Sequence, residues 1–120
     1  MTQVLSRMFF AGFVRLHILH HADEAPICGV EIVEELARHG YRLSPGTVYP
    51  ALHDLVQAGY LISRSRVVSG KQRKYYQATA QGRRALKKAR VKLSELAAEV
   101  LEPVRPTGSQ RLRSLGEEAR

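Results

Sequence analysis

The sequence predicts a mainly α-helical chain with one small β-hairpin, an α+β fold in which the hairpin separates a third helix from a fourth. Three observations carry this expectation. Apolar residues recur at three- and four-residue steps over several stretches. Two short runs rich in β-branched and aromatic residues flank a turn glycine. Glycines and prolines stand where these patterns break.

The first helix is expected over Gln3–His21, where Leu5, Met8, Phe9, Phe13, Leu16 and Leu19 repeat at helical spacing. Asp23–Pro26 reads as a turn. A second helix is expected over Gly29–His39, with Val30, Ile32, Val33, Leu36 and Ala37 as its apolar positions and Glu31, Glu34 and Glu35 toward water. Gly40 is placed to end it. The third helix has the sharpest start: Ser44 is a favourable N-cap and Pro45 suits the first helical position. It runs to about Ala58, and Gly59 stops it. At 100° per residue, Val48, Ala51, Leu52 and Leu55 share one face, while Gly46, Thr47, Pro50, His53, Asp54 and Gln57 share the other. Pro50 breaks a local rule, because its missing N–H forfeits a bond to the Gly46 carbonyl and an interior proline costs on the order of 3 kcal/mol. Either the altered helix shape is useful, or Pro50 lies near enough to the helix start to cost little.

Tyr60–Val68 and Arg73–Thr79 are expected to pair as a hairpin, with Ser69-Gly70-Lys71-Gln72 as the connector and basic tip. The fourth helix is expected over Ala80–Glu102. Its Leu86, Ala89, Leu93, Leu96 and Val100 step by 3, 4, 3 and 4, a coiled-coil-like seam. Pro103 and Pro106 end it, and the polar remainder reads as a flexible tail. The division expected is therefore 1–79 for the helix-and-hairpin domain, 80–102 for the last helix and 103–120 for the tail.

Charge gives the first indication of a partner. The 120 residues hold 19 Lys and Arg against 11 Asp and Glu, a formal charge of +8. From Leu55 to Ser94 there is no acidic residue, while Arg64, Arg66, Lys71, Arg73, Lys74, Arg83, Arg84, Lys87, Lys88, Arg90 and Lys92 fall in that window. A patch of one sign attracts a polyanion and releases its condensed counterions. No apolar run is long enough to span a bilayer, and the short apolar stretch Phe9–Val14 has no cleavage-site pattern after it. The single Cys28 cannot form an internal disulfide. These features fit a protein of the reducing cytoplasm.

Helix, helix, helix, hairpin is the winged helix-turn-helix order. In that architecture the third helix enters the major groove of double-stranded DNA and reads with its N-terminal residues. The start of the helix offers free N–H groups and a partial positive charge to a phosphate. Ser44 and Thr47 add hydroxyls, Gly46 lets a phosphate come close, and Pro45 and Pro50 beside them are counted with the DNA-binding residues. Tyr49 and His53 are long enough to reach base edges. Gly70, Lys71, Arg73 and Lys74 at the hairpin tip are expected on the neighbouring backbone or in the minor groove.

The run Leu43-Ser44-Pro45-Gly46-Thr47-Val48-Tyr49-Pro50-Ala51-Leu52, followed by Leu55, Gly59, Tyr60 and Leu61, resembles the recognition-helix signature of the PadR family of transcriptional regulators. Lys71-Gln72-Arg73-Lys74-Tyr75-Tyr76 and Ala78-Thr79-Ala80-Gln81-Gly82 are similar to that family's wing and its entry into the last helix. The chain departs from the pattern at Cys28-Gly29-Val30-Glu31-Ile32, where a His-Gly-Tyr-like segment is usual and Val30 replaces an aromatic. The resemblance implies a dimer, a repressor (less often an activator) role on pseudo-palindromic operators, and in some members a small aromatic or drug-like effector held between subunits.

The fourth-helix seam needs a partner, either the chain's own first helix or a second copy. A twofold homodimer is expected, built from Phe9 and Phe13 of the first helix with Leu86, Ala89, Leu93, Leu96 and Val100 of the fourth. An apolar effector pocket between subunits would draw on Phe9, Phe10, Phe13, Leu93, Leu96 and Val100, residues that equally suit plain packing. Two sensor readings stay open. His17, His20 and His21, with Cys28 and Asp23 nearby, could hold a metal, although histidines at the polar end of a helix usually do not. Cys28 could respond to oxidants, although Ile27 and Gly29 beside it do nothing to activate a thiol. No metal or cofactor is counted among the expectations. No enzyme is expected either, since no phosphate-cradling glycine loop and no acid–base–nucleophile set is present. A winged-helix module that binds protein instead of DNA is the remaining alternative, and the basic hairpin speaks against it.

Overall fold

Seven elements follow one another in a computed structural model that describes residues 2–101, with side chains from residue 7 onward: α1 (Thr2–Glu24), β1 (Ile27–Cys28), α2 (Gly29–Arg38), α3 (Pro45–Gln57), β2 (Leu61–Val68), β3 (Lys71–Ala78) and α4 (Ala80–Val100). The chain divides into two compact units, residues 1–88 and 89–120. Leu5 falls among the residues whose side chains are not described, and Glu102 and the expected tail 103–120 lie outside the described residues altogether.

Helix ends are set by local hydrogen bonding. At the end of α2 the Gly40 N–H donates to the Ala37 carbonyl and the Tyr41 N–H to the Leu36 carbonyl. At the end of α3 the Gly59 and Tyr60 N–H groups repeat this with Val56 and Leu55. Both are Schellman closures, which satisfy carbonyls the helix leaves open. Thr79 starts α4: its hydroxyl accepts the Gly82 N–H at 2.9 Å and donates to the Gly59 carbonyl at 2.6 Å. One residue thus caps α4 and ties it to the end of α3.

The first unit has a core of Val14, Ile18, Leu19 and Ala22 from α1, Ile32 and Leu36 from α2, and Val48, Ala51, Leu52 and Leu55 from α3. Leu61, Tyr76, Ala78 and Leu86 complete it. Burying each larger aliphatic side chain is worth roughly 1.5–3 kcal/mol. The expected faces need two corrections. The core stripe of α1 runs through Val14, Ile18 and Ala22, so Met8 and Phe9 are exposed. On α2, Ile32 and Leu36 are buried and Val33 partly so, but Val30 and Ala37 face outward. The buried and exposed faces of α3 are those its sequence periodicity gives.

The sheet also differs from the expected hairpin. It has three antiparallel strands in the order β1-β3-β2, because Ile27 and Cys28 pair with Tyr76 and Tyr75. Between β2 and β3 the turn is only Ser69-Gly70, with Val68 opposite Lys71. Lys71 and Gln72 are therefore strand residues rather than connector. Both turn residues have positive φ, 53° and 77°, the conformation of a type I′ turn, whose twist matches that of the strands.

The second unit, as far as it is described, is the last part of α4. Its Leu93, Leu96 and Val100 are exposed. Leu86, expected in the same seam, lies instead in the first unit's core at 1% exposure.

Candidate nucleic-acid interface

Helix α3 buries Val48, Ala51, Leu52 and Leu55, and this fixes which side chains point away. Ser44, Pro45, Gly46, Thr47, Tyr49, Pro50 and His53 are all exposed. Ser44 stands at the N-cap position with extended backbone, yet its side chain makes no capping bond. The Thr47 and Val48 N–H groups both donate to the Ser44 carbonyl. Pro45 has no N–H, which leaves the Gly46 N–H and the Ser44 hydroxyl as donors at the helix start, where an anion is favoured. The helix runs unbroken through Pro50.

Tyr49 is 46% exposed. Its hydroxyl end lies over Gly29 at the start of α2, so close that a Cβ on residue 29 would come within 2.6 Å of the Tyr49 oxygen. The ring is thus held along one edge by α2 and open along the other. That contact gives Gly29 a packing reason. Asp54, the one carboxylate on the outward face of α3, is paired with Arg15 of α1 at 2.7 Å. Its charge is therefore offset where a phosphate would otherwise be repelled.

The register of the hairpin sorts its cations. Arg64 lies opposite Tyr75, Arg66 opposite Arg73 and Val68 opposite Lys71. Leu61, Tyr76 and Ala78 face the core, so alternation places Arg64, Arg66, Lys71 and Arg73 together on the other sheet face. Lys74 lies on the core-side face, beyond the helices. The Arg66 guanidinium sits 4.9 Å from the centre of the Tyr75 ring, a cation–π contact that holds it extended. Among the described residues, none of these five cations forms an ion pair. Like charges directly across a ladder destabilise it, and a set of cations without direct ion pairs suits a phosphate backbone. Arg64 and Arg66 were absent from the expected tip residues. Strand alternation would have found them once the turn was fixed at two residues.

Beside the start of α3 lies an open cleft of about 870 Å³ whose lining includes Phe10, Arg15, Tyr41, Arg42, Thr47 and Pro50. Of the residues expected around an effector, Phe10 alone lines it. Phe10 meets Tyr41 edge-on at 5.4 Å, and Phe9 meets Phe13 edge-on at 4.4 Å.

The histidines of α1 gather differently from expectation. His17 and His21 share a cluster with His39, from the end of α2. Cys28 and Asp23 are not part of it, and Cys28 is buried in the sheet. Burial, and then the charges of His39, His21 and His20, hold the His17 pKa below the usual imidazole value.

Comparison with known proteins agrees with this geometry. Residues 18–88 match the transcriptional regulator PadR-like family. The chain is 54% identical over 95 residues to the transcriptional regulator Rv3488 of Mycobacterium tuberculosis, an alignment covering 79% of this chain and 89% of that protein. Among solved structures, a PadR-like transcription factor from Bacteroides fragilis superposes with a TM-score of 0.70 at 26% identity, covering 82% of this chain and 95% of the other. A PadR family regulator from Eggerthella lenta gives 0.67 at 28% identity, over 86% and 96% of the two chains. The winged fold, the exposed helix start and the basic wing thus occur together in a chain that belongs to the PadR-like family of transcriptional regulators.

Proposed function

We propose that this regulator is a homodimeric repressor that binds a pseudo-palindromic operator in double-stranded DNA in the cytoplasm. The observation that carries the reading is the pairing of an exposed, small-residue helix start with a wing whose cations form no direct ion pair among the described residues. In this reading α3 lies in the major groove. Ser44, Thr47 and the Gly46 N–H take a phosphate, while Tyr49 and His53 meet base edges. Arg64, Arg66, Lys71, Arg73 and Lys74 hold the flanking backbone. Two copies, joined through the exposed parts of α1 and α4, present two reading helices about one helical turn of DNA apart. Repression is steric. A small apolar effector would act by changing the spacing of the two reading helices.

Selection of bound duplexes from a random pool, repeated at two salt concentrations, tests the reading. A pseudo-palindrome is expected. On the selected duplex, Arg66→Ala or Lys71→Ala should weaken binding to all sequences and lower the salt slope by about one unit. Tyr49→Ala and His53→Ala should instead alter base preference, at about 1–3 kcal/mol per lost contact. Equal losses on cognate and random DNA would remove Tyr49 from base reading. A protein that binds no duplex at low ionic strength would overturn the proposal.

A further inference from the structure

We propose that the chain carries a site for a divalent transition metal of the zinc type, built from His17 and His21 of α1 and His39 at the end of α2. This goes beyond the DNA-binding reading and does not depend on it.

The fold brings together residues that are distant in sequence. His17 and His21 are one helical turn apart and share a face of α1. Glu35 and His39 stand in the same relation at the end of α2, facing them. One imidazole nitrogen from each of the three histidines lies within 4.8 Å of the others. Metal–nitrogen bonds are about 2 Å long, so closing the set around an ion needs side-chain rotation rather than movement of the helices.

The state of His21 supplies the second argument. Its Nε2 is buried and has no hydrogen-bond partner among the described residues. A buried polar atom left so is costly and unusual. Glu35 Oε2 stands 3.6 Å from it, beyond hydrogen-bond distance. The other ring nitrogen, Nδ1, lies 3.3 Å from the Glu24 carboxylate. A carboxylate holding the Nδ1–H fixes the tautomer that leaves the Nε2 lone pair free, the arrangement by which proteins orient metal-binding histidines. The Glu35 carboxylate beside the cluster is divided: Oε1 takes Arg38 at 2.6 Å, and Oε2 lies on the His21 side. Three imidazoles, with a fourth position open to water, suit zinc, and cobalt(II) as its spectroscopic substitute. An ion there would clip α1 to the end of α2, just before the connection that leads into α3.

The test uses the full chain freed of any purification tag. Zinc uptake is measured by competition with a chromophoric chelator, cobalt(II) binding by its visible ligand-field bands, and stabilisation by the melting temperature. One ion per chain is expected, with tetrahedral cobalt bands and a melting temperature that rises with zinc. His17→Ala and His39→Gln should each weaken uptake at least about tenfold, the loss of one strong ligand. His39 is exposed, so His39→Gln keeps the fold, checked by the metal-free melting temperature. His20→Ala should leave uptake unchanged. Absence of uptake overturns the proposal. So does uptake that survives His39→Gln and is lost with His20→Ala, which would put the ion at the neighbouring group of His20, His21 and Glu24.

Discussion

The Glu31 carboxylate accepts the Cys28 N–H at 3.0 Å, closing the start of α2 from within. That bond is the main reason its pKa lies below the usual carboxylate value; the Cys28 side chain and the charge of Arg73 push the same way, against burial. A carboxyl whose pKa is lower folded than unfolded contributes fully above its unfolded value. The contribution fades as pH falls through the folded value. Glu31→Ala should therefore cost about 1 kcal/mol at neutral pH, with the gap to the parent protein narrowing in acid, as pH falls below the usual carboxylate range and through the lowered folded-state value. Thermal unfolding at neutral and acid pH checks this, and a gap that stays constant contradicts it. Ser69 is a second single-residue case. It adopts positive φ of 53° without being glycine, a conformation asparagine tolerates better. Ser69→Asn should stabilise the chain by up to about 1 kcal/mol in urea unfolding, with the slope unchanged.

Among elements, the end of α3, the entry to β2 and the start of α4 meet closely. A Cβ on Gly82 would run into the Tyr60 carbonyl, and the same glycine donates its N–H to Thr79. The run Ala78-Thr79-Ala80-Gln81-Gly82 therefore has a packing logic of its own: Thr79 caps α4 and Gly82 lets the helix start lie against the chain entering β2. Gly82→Ala should lower stability by about 2 kcal/mol or more, since neither backbone can give way locally. A melting temperature equal to that of the parent protein would show that the junction is looser than described. The wing follows opposite physics. Arg66 opposite Arg73 weakens the isolated ladder, and the Tyr75 ring offsets part of that cost.

For the whole molecule, the question is what covers the apolar residues the fold leaves outside. Met8 and Phe9 on α1 are exposed, as are Leu96 at 52% and Val100 at 67% on α4. Leu86 is not available for a partner, because it fills the core of its own chain. The proposed homodimer should sediment at twice 13.5 kDa at micromolar concentration. Leu96→Glu, at a position the monomer's core does not use, should shift it to the monomer while the circular dichroism is retained, and operator binding should weaken in parallel. A parent protein that sediments as a monomer would end the dimer reading.

Periodicity and punctuation made the four helices, both faces of α3 and the glycine closures of α2 and α3 legible in the sequence, because each depends on residues a few positions apart. The charge-free-of-acid window was legible for the same reason. Strand β1 was not, since two residues carry no period and their pairing with Tyr75 and Tyr76 is a long-range fact. Nor was the sorting of the wing cations, which needs the register that a two-residue turn sets. The partner of His17 and His21 was hidden too: the sequence offered Cys28 and Asp23, and only the packing of α1 on α2 brought His39 to them. Local hydrogen bonding and hydrophobic repeat thus decide the elements. Which side chains meet across elements is decided by tertiary packing alone, because no spacing along the chain encodes it.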